Sequence, residues 1–152
     1  MATANDDAIA TLNDLIETSR DGEQGFRTCA ENTRSPELKA VFQQAAERCA
    51  QAIQELTDEV RRHGGKPENR GSVAGAAHRA WVDIKATLTG KDDAGILAEC
   101  ERGEDSALDE YRDALEEDLP ESARALVQRQ LEGVQENHDR IRDLRDRYKR
   151  KG

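Results

Sequence analysis

The sequence predicts an all-α protein built as a four-helix bundle, and three observations lead to this prediction. Charged residues make up 36% of the 152 residues, aromatic residues only 3%, and proline occurs at three positions. Long runs of Ala, Glu, Arg, Leu and Asp without helix breakers are typical of helices. Two short breaker signals and one connection of roughly thirty residues divide these runs into four long helices.

The first helix is predicted over residues 5–33. Its apolar residues recur at alternating spacings of three and four, which is the pattern of a helix that packs in a bundle. Ser19 and Glu23 interrupt this apolar stripe, and Gly22 and Gly25 lie beside them. Because glycine inside a helix costs up to roughly 1 kcal/mol relative to alanine, we expect another helix to approach closely here.

The second helix is predicted over residues 36–63, with Ser35 as its N-cap and Gly64 as a left-handed residue at its end. The turn before it is so short that this helix must run antiparallel to the first. Cys49 falls in its apolar stripe. Arg48 lies on the flank of that stripe, from which its long side chain can reach inward.

The segment that follows, residues 64–93, is too long for a helix hairpin. It contains a shorter amphipathic stretch, which predicts an extra helix over residues 73–89 with Ser72 as its N-cap. Trp81 is the only tryptophan in the chain. We interpret it as a packing anchor that fastens this crossover helix to the bundle.

The last two long helices are predicted over residues 93–117 and 120–149. Each places polar residues in its apolar stripe: Glu104 lies in the stripe of the third long helix, and Gln130 and His138 lie in that of the fourth. A carboxylate in such a stripe needs a partner, because burying it unpaired costs several kcal/mol.

A short turn, a long connection and a second short turn describe a single domain over residues 1–152. The long crossover permits the second and third long helices to run parallel. Counting residues from the turns at 1.5 Å per residue then places the inward polar side chains near the same height. We therefore predict one internal polar layer made of Ser19, Glu23, Arg48, Cys49, Glu101, Glu104, Gln130 and His138.

The order of the helices resembles the ferritin/rubrerythrin-like superfamily. More closely, three segments resemble a bacterial family of uncharacterised ferritin-like four-helix-bundle proteins, and the resemblance spans nearly the whole chain. These segments are His78-Arg79-Ala80-Trp81, Cys100-Glu101-Arg102-Gly103-Glu104-Asp105 and Asn137-His138-Asp139-Arg140-Ile141. The resemblance implies a ferritin-like antiparallel bundle and a role in stress physiology or metal handling.

Ferritin-like di-iron sites take a Glu from each of two helices and a Glu-x-x-His motif from each of the other two. By the resemblance, Glu23 and Glu104 match the two lone glutamates, and His138 matches one histidine. Gln135 replaces the glutamate of that motif, and Ala50 replaces the other histidine. The resemblance therefore implies a ferritin-like frame without an intact di-iron site.

Three interpretations of the polar layer remain. One is a single Fe, Mn or Zn ion, because carboxylate and imidazole ligands suit these metals. Its ligands would be Glu23, Glu104 and His138, with Glu101 or Cys49 as a fourth. Arg48 would oppose such a cation by its like charge.

The second interpretation, which we favour, is a metal-free core in which Arg48 and His138 neutralise Glu23 and Glu104. Removing one member would strand a buried charge. We therefore expect Glu104→Gln to destabilise the fold if this interpretation holds. In the third interpretation, His138 activates a cysteine nucleophile, either Cys49 or Cys100.

The net charge of −9 argues against partners such as nucleic acid or an anionic membrane surface. The three cysteines show no CxxC spacing, as expected of free thiols in a reducing compartment. We expect a cytoplasmic homodimer that is not an enzyme and has no cofactor unless a metal binds. The alternatives are a metal-binding protein or small oxidoreductase, and a helical interaction or scaffold protein whose partner the sequence does not identify.

Overall fold

The computed structural model describes residues 4–67 and 76–151, which form five helices and no strand. The four long helices begin and end within two residues of their predicted positions. The predicted N-cap Ser72 and the predicted start of the crossover helix at residue 73 lie outside the described residues. The helices are α1 (Ala4–Asn32), α2 (Pro36–Arg62), α3 (Ala76–Thr87), α4 (Asp93–Leu115) and α5 (Glu121–Lys151).

Local side-chain chemistry sets the helix ends near the turns. The Ser35 hydroxyl accepts a hydrogen bond from the backbone N–H of Leu38, which confirms Ser35 as the N-cap of α2. Asp92 caps α4 in the same way through the N–H of Gly95. Gly64, after α2, has φ of 81°, a left-handed conformation that favours glycine.

Hydrogen bonds between helix ends show how α1 lies among its neighbours. Asn5, near the start of α1, donates to the carbonyl of His63 just after α2 at 2.9 Å. Thr33, just after α1, donates to the carboxylate of Asp93, the first residue of α4, at 2.6 Å. Helix α1 is therefore antiparallel to both α2 and α4.

Helix α5 is the fourth long helix of the bundle and packs against α2 and α4. Ser122, near its start, donates to Glu59 near the end of α2 at 2.7 Å, and Arg147, near its end, pairs with Glu37 near the start of α2. Helix α5 also packs along α4, to which the short turn before it makes it antiparallel. Each of the four long helices thus has two antiparallel neighbours.

The buried apolar residues form two clusters, one toward each end of the long helices. The cluster at one end includes Phe26, Phe42, Trp81, Ile96 and Ile141. The cluster at the other end includes Leu12, Ile16, Leu56, Tyr111 and Val127. Along α1, α4 and α5, the residues between these clusters include the buried polar side chains Ser19, Glu104, Gln130 and Asn137.

Helix α3 packs against α1 and α4 through Trp81, which is 2% exposed. Its indole ring lies in a slot between Gly25 of α1 and Gly103 of α4, and it contacts the Phe26 ring edge-on at 5.2 Å between ring centroids. This confirms Trp81 as a packing anchor. The close approach predicted at Gly25 is therefore that of the Trp81 ring on the short helix α3.

None of the helices in the described part of the chain is both long enough and apolar enough to cross a membrane.

Candidate binding cavity between the long helices

A cavity of about 240 Å³ lies between the two apolar clusters, and all four long helices contribute to its wall. Its exposed lining residues belong only to α2 and α5: Arg48 and Gln51 on one helix, and Arg129 on the other. The cavity therefore opens to solvent between α2 and α5. Most of the inner wall is apolar and is formed by residues such as Phe26, Ala45, Ala52, Trp81, Ala107 and Val134.

Among the described residues of this wall, Glu104 carries the one buried carboxyl group, with only 5% of the residue exposed. Its carboxylate accepts a short hydrogen bond from the side-chain amide of Asn137 on α5. Burial raises the pKa of Glu104 to about 7, against the smaller opposing effects of Asn137, His138 and Arg48. Near neutral pH this group can therefore either donate or accept a hydrogen bond.

A chain of hydrogen bonds crosses the cavity wall from α1 to the surface of α2. The Tyr111 hydroxyl donates to the Gln130 side-chain oxygen at 2.8 Å, so it accepts from the Ser19 hydroxyl at 3.3 Å. The Gln130 amide in turn donates to Glu55 at 3.0 Å. Burial raises the pKa of Tyr111 well above its ordinary value, so this hydroxyl stays protonated. These hydrogen bonds hold the four polar side chains in fixed positions.

Arg48 forms no ion pair with Glu104, which corrects the predicted pairing. Its guanidinium donates to the backbone carbonyl of Gly133 on α5 at 2.5 Å, at the cavity opening. No ion pair of Glu104 is found among the described side chains. Arg48 starts from the flank of α2 and is exposed, so its side chain reaches a carbonyl of the neighbouring helix at the surface and not the buried carboxylate.

His138 also has other partners than predicted. Its ring nitrogens lie 2.7 Å from the carboxylate of Asp105 and 3.2 Å from that of Asp139. Neither Glu104 nor a cysteine thiol is hydrogen-bonded to it within the described structure. His138 therefore belongs to a polar group on the outer side of α4 and α5.

The two remaining glutamates of the predicted layer form ion pairs away from Glu104. Glu23 pairs with Arg27, one turn along α1, at 2.7 Å. Glu101 pairs with Arg145 across α4 and α5. Only Ser19, Arg48, Cys49, Glu104 and Gln130 of the eight predicted residues line the cavity.

Cys49 lines the cavity with its thiol close to Gly22, where an added Cβ would lie 3.0 Å from the sulfur. Burial, together with the charges of Glu104 and Glu23, raises the pKa of this thiol well above its ordinary value. Since the thiolate is the reactive form, Cys49 is a poor nucleophile at neutral pH. Together with the partners of His138, this argues against the predicted cysteine–histidine chemistry.

A family model described as "Domain of unknown function (DUF2383)" matches residues 7–117. The chain belongs to the DUF2383 family. No curated protein matches the chain. The DUF2383 segment covers most of α1 and all of α2 to α4, and it therefore includes Ser19, Glu104 and Tyr111, whereas α5, which supplies Gln130 and Asn137, follows it.

The residues of this DUF2383 protein that were predicted to hold a metal do not fit that role. Glu23, Glu104 and His138 each bond to a different partner, and Glu23 faces a surface arginine. Over residues 4–67 and 76–151, no three His, Cys, Asp or Glu side chains are grouped closely enough to hold a metal ion. The predicted three-ligand set is therefore not assembled.

Asn137 is the main site residue that sequence reasoning missed. Val134 and Ile141 of α5 are seven residues apart, and the helical spacing of three and four permits either Asn137 or His138 to point inward between them. The structure turns Asn137 inward, where it contacts Glu104. The hydrogen bonds of the Tyr111 hydroxyl to Gln130 and Ser19 also could not be predicted from the spacing of apolar residues.

Proposed function

We propose that this DUF2383 protein is a ferritin-like four-helix bundle that binds a small organic molecule in its central cavity. The ferritin-like frame is supported by the resemblance, by the antiparallel packing of the long helices and by the long connection after α2. The observation that carries the binding proposal is the cavity itself, which has an apolar wall, two fixed polar groups and an opening to solvent.

The size of the cavity limits the ligand. An apolar cavity of about 150 Å³ engineered into another protein binds benzene. The cavity found here, at about 240 Å³, is large enough for one ring with a short substituent. Glu104 and Asn137 form one polar contact point, and Tyr111 and Gln130 form a second.

The charges around the cavity favour an uncharged ligand. An anion would meet the Glu104 carboxylate, which is partly ionised at neutral pH. A cation would have to pass Arg48 and Arg129 at the opening. A ring that carries a hydroxyl or amide group is uncharged and therefore avoids both obstacles. Glu104 can still donate a hydrogen bond to this group or accept one from it.

Three probes of similar size test this proposal by isothermal titration calorimetry: benzyl alcohol, benzylamine and benzoate. We expect benzyl alcohol to bind most tightly, with a dissociation constant below about 1 mM, which corresponds to −4.1 kcal/mol. The charged probes should bind at least about tenfold more weakly, because a difference of 1.4 kcal/mol corresponds to that factor.

A pair of variants separates cavity binding from surface binding. Ala107→Met fills the cavity and should abolish binding of benzyl alcohol, whereas Ala125→Met, on the exposed face of α5, should leave it unchanged. Failure of all three probes to bind the wild type, or equal binding to Ala107→Met, would contradict the proposal.

The homodimer, the cytoplasmic location, and roles in stress physiology, metal handling or protein scaffolding stay predictions from the sequence. The resemblance supports the metal-handling role. The side chains that Glu23, Glu104 and His138 contact in the structure do not favour it.

A further inference from the structure

We propose that Cys29 and Cys100 form a disulfide when the protein meets a two-electron oxidant, and that this bond links α1 to α4. The two residues are 71 positions apart in the sequence, yet their sulfur atoms lie 3.1 Å from each other. Both are free thiols and both are fully buried. This inference is independent of the proposed ligand.

The surrounding contacts hold the two helices close at this level. One turn before Cys29 and one turn after Cys100, the Trp81 ring lies between Gly25 and Gly103. In the other direction, Thr33, one turn after Cys29, donates a hydrogen bond of 2.6 Å to Asp93, two turns before Cys100. The sulfurs therefore face each other between two fixed contacts, and they need to approach by only about 1 Å to reach the disulfide bond length of about 2.05 Å.

The chemistry balances with hydrogen peroxide as the oxidant. One cysteine, as its thiolate, attacks a peroxide oxygen, the O–O bond breaks, and a sulfenic acid and one water form. The second thiol then attacks that sulfur, and the hydroxyl group leaves as a second water. Two thiols lose two electrons, the peroxide gains them, and both thiol protons end in water.

Burial sets the rate of this reaction. It raises the pKa of the Cys100 thiol well above its ordinary value, with a further contribution from the neighbouring Cys29. Because the thiolate is the reactive form, oxidation at neutral pH should be slow and should accelerate as the pH rises. Once formed, the buried disulfide is shielded from dissolved thiols.

The test oxidises the native wild-type protein with hydrogen peroxide at pH 8, removes the peroxide, and alkylates the unfolded chain with iodoacetamide. We expect the oxidised chain to take up one alkyl group, at Cys49, and the untreated chain to take up three. A tryptic digest should contain the peptide of residues 28–34 linked to that of residues 92–102.

Cysteine variants provide the matched controls. Cys49→Ser should still form the linked peptide, whereas Cys29→Ser and Cys100→Ser should each take up two alkyl groups after oxidation. The disulfide should also raise the melting temperature of the wild type by roughly 5 to 15 °C, because it closes a long loop in the unfolded chain.

Three alkyl groups on the oxidised wild type would overturn the proposal. So would sulfinic acid at Cys29 or Cys100 without the linked peptide, or a linked peptide that contains Cys49. The peptide map of the wild type decides the question even if a serine variant fails to fold.

Discussion

Replacing Gly103 by Ala is expected to destabilise the protein by about 3 kcal/mol or more, because overpacking of a tight core site typically costs about 1–3 kcal/mol and sometimes more. A Cβ at this position would lie 2.4 Å from the Trp81 ring. The ring cannot move away, since it is buried and since a Cβ at Gly25 would lie only 2.1 Å from other atoms of the same ring. Urea unfolding followed by circular dichroism measures the loss.

Gly133→Ala is the matched control for this prediction. Gly133 is also inside a helix, but the nearest atom to its added Cβ would be the Cδ of Arg48 at 3.7 Å, an ordinary contact. The free energy of unfolding of this variant should rise by up to about 1 kcal/mol, because alanine has a higher helix propensity than glycine. The opposite signs expected at Gly103 and Gly133 would isolate the steric effect of the slot.

A double-mutant cycle identifies the ring as the cause. Trp81→Leu removes most of the atoms that a Cβ at Gly103 would touch, so Gly103→Ala should cost less in the Trp81→Leu background than in the wild type. Equal costs in both backgrounds, or a stable Gly103→Ala single variant, would contradict the proposed packing.

Glu104→Gln is expected to stabilise the protein by up to about 3 kcal/mol at pH 8 and by less than about 1 kcal/mol at pH 5. The pKa of Glu104 is about 7 in the folded chain, compared with an ordinary value of 4.5. Between these values the folded state binds more protons than the unfolded state, so stability falls as the pH rises through this window. Each unit of difference between the folded and unfolded pKa values corresponds to about 1.4 kcal/mol of stability.

Glutamine avoids this loss because it cannot ionise, and its side-chain oxygen can still accept the hydrogen bond from Asn137. This reverses the expectation drawn from sequence, in which Arg48 and His138 compensated the charge. Both side chains have other partners in the structure, so the ionised carboxylate is desolvated without an ion pair.

Urea unfolding of both proteins at pH 5, 6, 7 and 8 measures this effect as the difference between wild type and variant. Glu101→Gln is the control, since Glu101 lies one turn away on α4 and pairs with Arg145. The Glu101→Gln variant should lose a salt bridge and should be no more stable than the wild type at pH 8. A Glu104→Gln variant that is less stable than the wild type at pH 8 would show that ionised Glu104 has a compensating partner.

Local chemistry explains why the helices could be predicted. The N-cap Ser35, the left-handed Gly64 and the spacing of apolar residues all act over a few positions, and they locate the helix ends without reference to the rest of the chain. The same spacing correctly placed Glu104 in the protein interior.

The partners of these side chains depend on distances between helices, which periodicity does not contain. Asn137 and His138 satisfy the same spacing on α5, and only the rotation of that helix against α4 decides which of them meets Glu104. The sequence by itself thus determined the helices, their order and the buried acid. The tertiary structure decided the partner of that acid, the cavity beside it and the slot for Trp81, because these arise where atoms of different helices meet.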